Sequence, residues 1–235
     1  MERDKLHEFL NEGWAVGRIS GIRVRLHFTL FLLAFIQLLT MITQPLTWLM
    51  FMVILFGSIL LHELGHCYGA RMVGGSAHQI ILWPLGGLAM LEGANRSPTA
   101  ELIVTALGPL VSIALALGGW ITLWLLEPLL GGTVLGSYLI LPLRYVAFIN
   151  TFLAAFNLLL PLFPMDSARL VRAGLSFYYH PNKVTYYLCT FGIWLGVGVA
   201  IFSLSPMAQQ YGFNLLIFIG IFGAFSCYQE RTMTQ

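Results

Sequence analysis

The chain has 235 residues, of which 58% are hydrophobic and only 9% charged, with mean hydropathy +0.81. A soluble domain carries about 25% charged residues, so this composition predicts a polytopic membrane protein and excludes a water-soluble globular enzyme. The net charge of +2 is too small for a nucleic-acid-binding surface.

Residues 1–26 are short, mixed in charge and lack an apolar core, so no cleavable signal peptide is expected. They read as a cytoplasmic segment. Ile19 to Leu26 alternates in part, with Ile22, Val24 and Leu26 against Arg23 and Arg25, as an interfacial strand would.

Six spans follow, at 27–44, 46–72, 99–126, 139–163, 183–204 and 210–229, forming one membrane domain over 27–229 before a cytoplasmic tail at 230–235. Pro45 breaks the first pair into a hairpin. Gly131-Gly132 and Pro206 separate later pairs. The fold class is therefore all-α and polytopic. Residues 73–98 are the exception: Gly74-Gly75, Pro84, Gly86-Gly87 and Gly93 punctuate two apolar stretches, Ile80–Trp83 and Leu88–Leu91. These predict a short β-hairpin dipping into the membrane, where protein or a watery cavity must cover its backbone.

Basic residues set the orientation. Of the 12 Lys+Arg, all but Arg144 fall on one side, so both termini are predicted to be cytoplasmic. Cys67, Cys189 and Cys227 sit in or beside apolar segments and read as packing residues, not a disulfide framework. Gly192 and Gly196 have the spacing of close helix packing.

The second span carries His62-Glu63-Leu64-Gly65-His66 after a run from Leu46 to Leu61 without a charge. Ionisable residues at membrane depth are rare and usually functional. Histidines at i and i+4 share a helix face and can grip one zinc ion, and the glutamate beside them suits a general base. With 6 His and 8 Glu in the chain, His-Glu-x-x-His should occur by chance roughly 0.005 times. Counting back from Arg71 places the histidines ~7 to ~14 Å below the cytoplasmic end of the helix.

Zinc needs a third protein ligand. Asp166, after Pro161 and Pro164, is the other acid at comparable depth. It has two readings, a ligand or the N-cap of a helix beginning at Ser167, and the incomplete histidine pair favours the ligand. His7, His27, His78 and His180 read as solvated or interfacial, with His78 in the hairpin loop. Cys67 points about 100° away from His66 around the helix.

These segments resemble the site-2 protease family of intramembrane zinc metalloproteases over nearly the whole chain. Leu61–His66 resembles the zinc helix of that family, Pro84–Met90 its glycine-containing strand, Ala106–Val111 the start of its next core helix, and Phe156-Asn157 with Phe163–Asp166 its third-ligand segment. The resemblance implies one zinc ion held by His62, His66 and Asp166, with Glu63 as catalytic base and Asn157 assisting near the scissile carbonyl. It implies transmembrane protein substrates, cleaved within or near their membrane segment to release signalling or transcription factors, and a prokaryotic cell membrane. Gly86, Gly87 and Leu88 would receive the unwound substrate strand. Two departures stand out. Ser167-Ala168 replace the two glycines that usually follow the aspartate, which would be strained if the backbone needed φ > 0 there. Asn157 and Pro161 are one residue further apart than usual. The alternatives are a metal transporter or metal-dependent sensor, which the apolar external halves of the spans disfavour, and an inactive scaffold of the same fold.

Overall fold

The computed structural model describes residues 13–83, 86–94, 97–210 and 215–234. The expectations placed on residues 1–12, Pro84, Leu85, Arg96 and the start of the sixth span lie outside these. In chain order the elements are β1 (Trp14–Ile19), β2 (Ile22–Leu26), α1 (Phe28–Thr40), α2 (Pro45–Met72), β3 (Ser76–Trp83) and β4 (Gly86–Glu92). Then come α3 (Pro98–Leu130), α4 (Val134–Leu159), α5 (Asp166–Leu175), α6 (Pro181–Ser203), α7 (Pro206–Gln210) and α8 (Leu215–Met233).

The chain divides into two compact units, Met1–Asn95 with Leu107–Ala154, and Arg96–Ala106 with Ala155–Gln235. Among the described residues, α2, α3, α4 and α6 are long and apolar enough to cross a membrane. The first predicted span is shorter than expected. α1 has 13 residues, or about 20 Å, against a hydrocarbon core of about 30 Å. Its helix starts at His27, whose Nδ1 accepts from the Thr29 amide as an N-cap, and Pro45 opens α2 at a position where its missing N–H costs nothing.

The β structure is larger than a hairpin. Four strands form one sheet in the order β1-β2-β3-β4, with β1/β2 and β3/β4 antiparallel and β2/β3 parallel. The stretch from Ile19 to Leu26 contains the expected strand as β2, preceded by the last residue of β1 and a two-residue turn. Ser20 and Gly21 both have positive φ, the two-residue turn geometry that matches strand twist, and Ile19 pairs with Ile22 across it. β1 escaped notice because it is exposed on both faces and so has no apolar alternation. Ile22 and Val24 of β2 and Ile80 and Leu82 of β3 are buried against Ile59 and Cys67 of α2. The core of the first unit is therefore the packing of this sheet on the zinc-motif helix. His78 lies not in a loop but in β3, at an irregularity between Ala77 and Gln79, with its Nε2 3.2 Å from the exposed Glu92.

In the second unit α6 and α8 pack through glycines. A Cβ on Gly196 would come 2.6 Å from the Gly220 carbonyl oxygen, so only hydrogen allows this approach. Leu162, Phe163, Leu188, Cys189 and Cys227 form the buried core there. All three cysteines are buried and free, as their apolar settings predict.

Candidate metal centre

α2 presents His62, Glu63 and His66 on its buried side, with 3%, 8% and 5% of each residue exposed. The two Nε2 atoms face each other at 3.2 Å, and one ligand atom from each of the three residues lies within 4.8 Å of the others. Two nitrogens bound tetrahedrally to zinc at 2.0–2.1 Å stand about 3.3 Å apart, so this spacing fits one ion.

Most of what holds these side chains comes from α3 and α4, far away in sequence. Ser112 of α3, fully buried, lies with Oγ 2.9 Å from His62 Nδ1. A proton on Nδ1 donated to this oxygen leaves the Nε2 lone pair free for metal, the usual outer support of a ligating histidine. Gly108, one turn earlier on α3, makes room for the imidazoles. A Cβ there would sit 2.9 Å from His62 Nε2 and closer still to the His66 ring. Gly65 lets the helices meet at this point, since its Cβ would come 2.5 Å from the Leu107 carbonyl oxygen. A further turn along α2, Ser58 Oγ accepts from Nδ2 of the fully buried Asn150, tying α2 to α4.

The sheet supplies the third side. Gly87 at the start of β4 packs directly on Glu63. A Cβ there would lie 2.8 Å from Glu63 Cδ and 3.0 Å from Oε1. Gly86 has open space around it but φ +146°, a conformation few other residues tolerate. Gly86 and Gly87 therefore have different jobs, backbone shape and clearance for the acid. Leu88 and Met90 of β4 are 54% and 44% exposed, and β4 is an edge of the sheet among the described residues.

Asp166 and Asn157 belong to the second unit. Asp166 is not the N-cap of α5, because Met165 occupies that place with extended backbone and Asp166 is already helical. It is buried, at 5% exposure. Asn157 is partly buried near the end of α4. Ser167 and Ala168 are helical residues of α5, and Ser20 is the one non-glycine with positive φ among the described residues. The strain that two missing glycines would have caused is absent. Ser167 Oγ instead donates to the Leu160 carbonyl. Sequence reasoning placed Gly65 and Gly108 in family-like segments without a role for either, and missed Ser112 and Asn150. The chain offers only one signal for them, small or polar residues inside apolar helices.

A buried His–Glu–His set on a membrane-length helix, braced by a sheet and a second helix, defines a membrane protein able to hold a metal ion. Residues 50–130 match the model of peptidase family M50. The solved site-2 protease from Methanocaldococcus jannaschii is similar in fold, with TM-score 0.66 and 31% identity over 92% of this chain and 94% of that one. Zinc metalloprotease MJ0392 of the same organism is 33% identical over 221 residues, which are 93% of this chain and 60% of that protein. The putative zinc metalloprotease Rip3 of Mycobacterium tuberculosis is 33% identical over 173 residues, 68% of this chain and 43% of that protein. This chain thus spans less than two thirds of each of these two curated relatives. It belongs to the site-2 protease family.

Proposed function

We propose that this protein is an intramembrane zinc endopeptidase that hydrolyses a peptide bond within or near the transmembrane segment of membrane-anchored proteins. The observation that carries the reading is Glu63, a buried carboxylate held beside two facing imidazole nitrogens with a glycine clearing space for it. His62, His66 and Asp166 would hold the zinc ion. When bound, zinc supplies Lewis acidity that polarises a carbonyl and brings the pKa of a water to about 7. Glu63 takes a proton from that water and returns it to the leaving amine. Ser112 keeps His62 in the tautomer that offers Nε2 to the metal. Asn157 assists near the scissile carbonyl.

A substrate helix hides its carbonyls in hydrogen bonds and must unwind before cleavage. The β4 edge, with Leu88 beside the glycine pair, receives the unwound strand by adding it to the sheet. Residues 27–229 act as one membrane protease domain in a prokaryotic cell membrane with cytoplasmic termini, and the role is regulated release of signalling or transcription factors. The helical setting of Ser167 and Ala168 removes the backbone argument for an inactive scaffold.

The test is reconstitution of the purified protein in vesicles with a transmembrane peptide library. Wild type should cleave in a zinc-dependent way, and Glu63→Gln should keep its zinc but lose about 10²–10⁴-fold in turnover. Zinc uptake into sealed vesicles without cleavage would sink the protease reading. Asp166→Ala should weaken zinc binding at least about tenfold while the two histidines keep a measurable affinity; wild-type affinity would remove it from the ligand set.

A further inference from the structure

The residues that fix the Asp166 segment lie on three other stretches of the second unit, and they converge on Phe163. The segment between α4 and α5 is short, and its buried anchors are Leu162, fully buried, and Phe163, 6% exposed. The Phe163 amide donates to Cys227 Sγ of α8 at 3.3 Å. Cys227 is itself fully buried, and Gly192 of α6 makes room for it, since a Cβ there would come 2.5 Å from the sulfur. The Phe163 ring lies over the Arg172 guanidinium, with Cζ 5.5 Å from its centroid, a cation–π distance.

Arg172 is held in turn. Its Nε donates to Glu101 Oε1 at 2.9 Å, its Nη2 bonds the same oxygen, and its Nη1 donates to Glu230 Oε1 at 3.2 Å. These partners come from α3 and α8, 71 and 58 residues away in sequence. The Arg172 and Glu101 side chains are only 18% and 11% exposed. Charges this far from water need partners, and each partner here fixes the orientation of the next. Phe163 is thus clamped twice, by its amide and by its ring, three residues before Asp166.

We propose that Arg172 and Cys227 are positioning residues for zinc binding, which act through Phe163 on the carboxylate of Asp166. This rests on the reading of Asp166 as the third ligand. Outer partners of metal ligands typically contribute 10–100-fold to metal affinity. The full-length protein in detergent is titrated with zinc against a chromophoric chelator, in wild-type and Asp166→Ala backgrounds. Arg172→Gln and Cys227→Ala should each weaken zinc binding 10–100-fold in the wild-type background and by less than about twofold beside Asp166→Ala. Cys227→Ser, which keeps an acceptor for the Phe163 amide, should recover most of the affinity. Should Arg172→Gln fail to fold, Phe163→Leu removes the ring contact at nearly constant volume and carries the same expectation. Equal losses in both backgrounds, or no loss in the wild-type background, would overturn the role. Wild-type affinity in Asp166→Ala alone would instead overturn the ligand assignment, and this role with it.

Discussion

Replacing Gly87 by alanine tests the clearance around the catalytic acid. The new Cβ would press on Glu63, nearest to Cγ, with Cδ at 2.8 Å and Oε1 at 3.0 Å. Comfortable carbon–carbon separation is about 3.5 Å, so Glu63 must retreat by roughly 0.7 Å or more. Displacement of a reacting group by about 1 Å can cost 10²-fold, near 2.7 kcal/mol in the barrier. Gly87→Ala should therefore lower kcat by tens-fold to about 10²-fold while bound zinc stays at the wild-type level, because the imidazoles are untouched. Gly86→Ala is the paired control. Nothing lies within 4 Å of its Cβ, but φ +146° is strained for alanine at about 1–3 kcal/mol, so this variant should lose thermal stability first. The assay is steady-state cleavage of a transmembrane substrate in reconstituted vesicles, with zinc content and melting temperature measured on the same samples. A substrate-docking role for Gly87 would appear in KM, whereas crowding of Glu63 appears in kcat. Unchanged kcat in Gly87→Ala, or zinc lost in parallel with activity, would refute the reasoning.

Gly108→Ala should weaken zinc binding at least tenfold, read from metal content after dialysis, because its Cβ would enter the space of both histidine rings. Ser112→Ala leaves His62 Nδ1 without its oxygen partner, and zinc affinity should fall 10–100-fold with little change in melting temperature. Gly196→Val should act oppositely, lowering the melting temperature through forced separation of α6 from α8 while metal content in the folded fraction is retained.

Much of the site was legible because its chemistry is local. The i, i+4 spacing of His62 and His66 determines a shared helix face whatever surrounds it, and the missing charges before them announce a membrane helix. Pro45 marks a helix start by removing an N–H, and the Gly86-Gly87 pair marks special backbone. The sheet was half legible. β3 and β4 carry apolar runs, but β1 is exposed throughout and β2 pairs in parallel with a strand more than fifty residues on. Neither fact leaves a periodic trace in one chain.

The amino-acid sequence by itself determined the membrane class, the zinc motif and the family. Those follow from composition and from short-range spacing, which survive any arrangement of the rest. Only the tertiary structure decided that Gly87 serves Glu63, that Gly108 and Ser112 serve the histidines, and that Ser167 and Ala168 are unstrained. Each of these depends on which backbone comes within a few ångströms of which side chain. That is settled by the packing of helices and sheet, where a missing Cβ counts as much as any functional group.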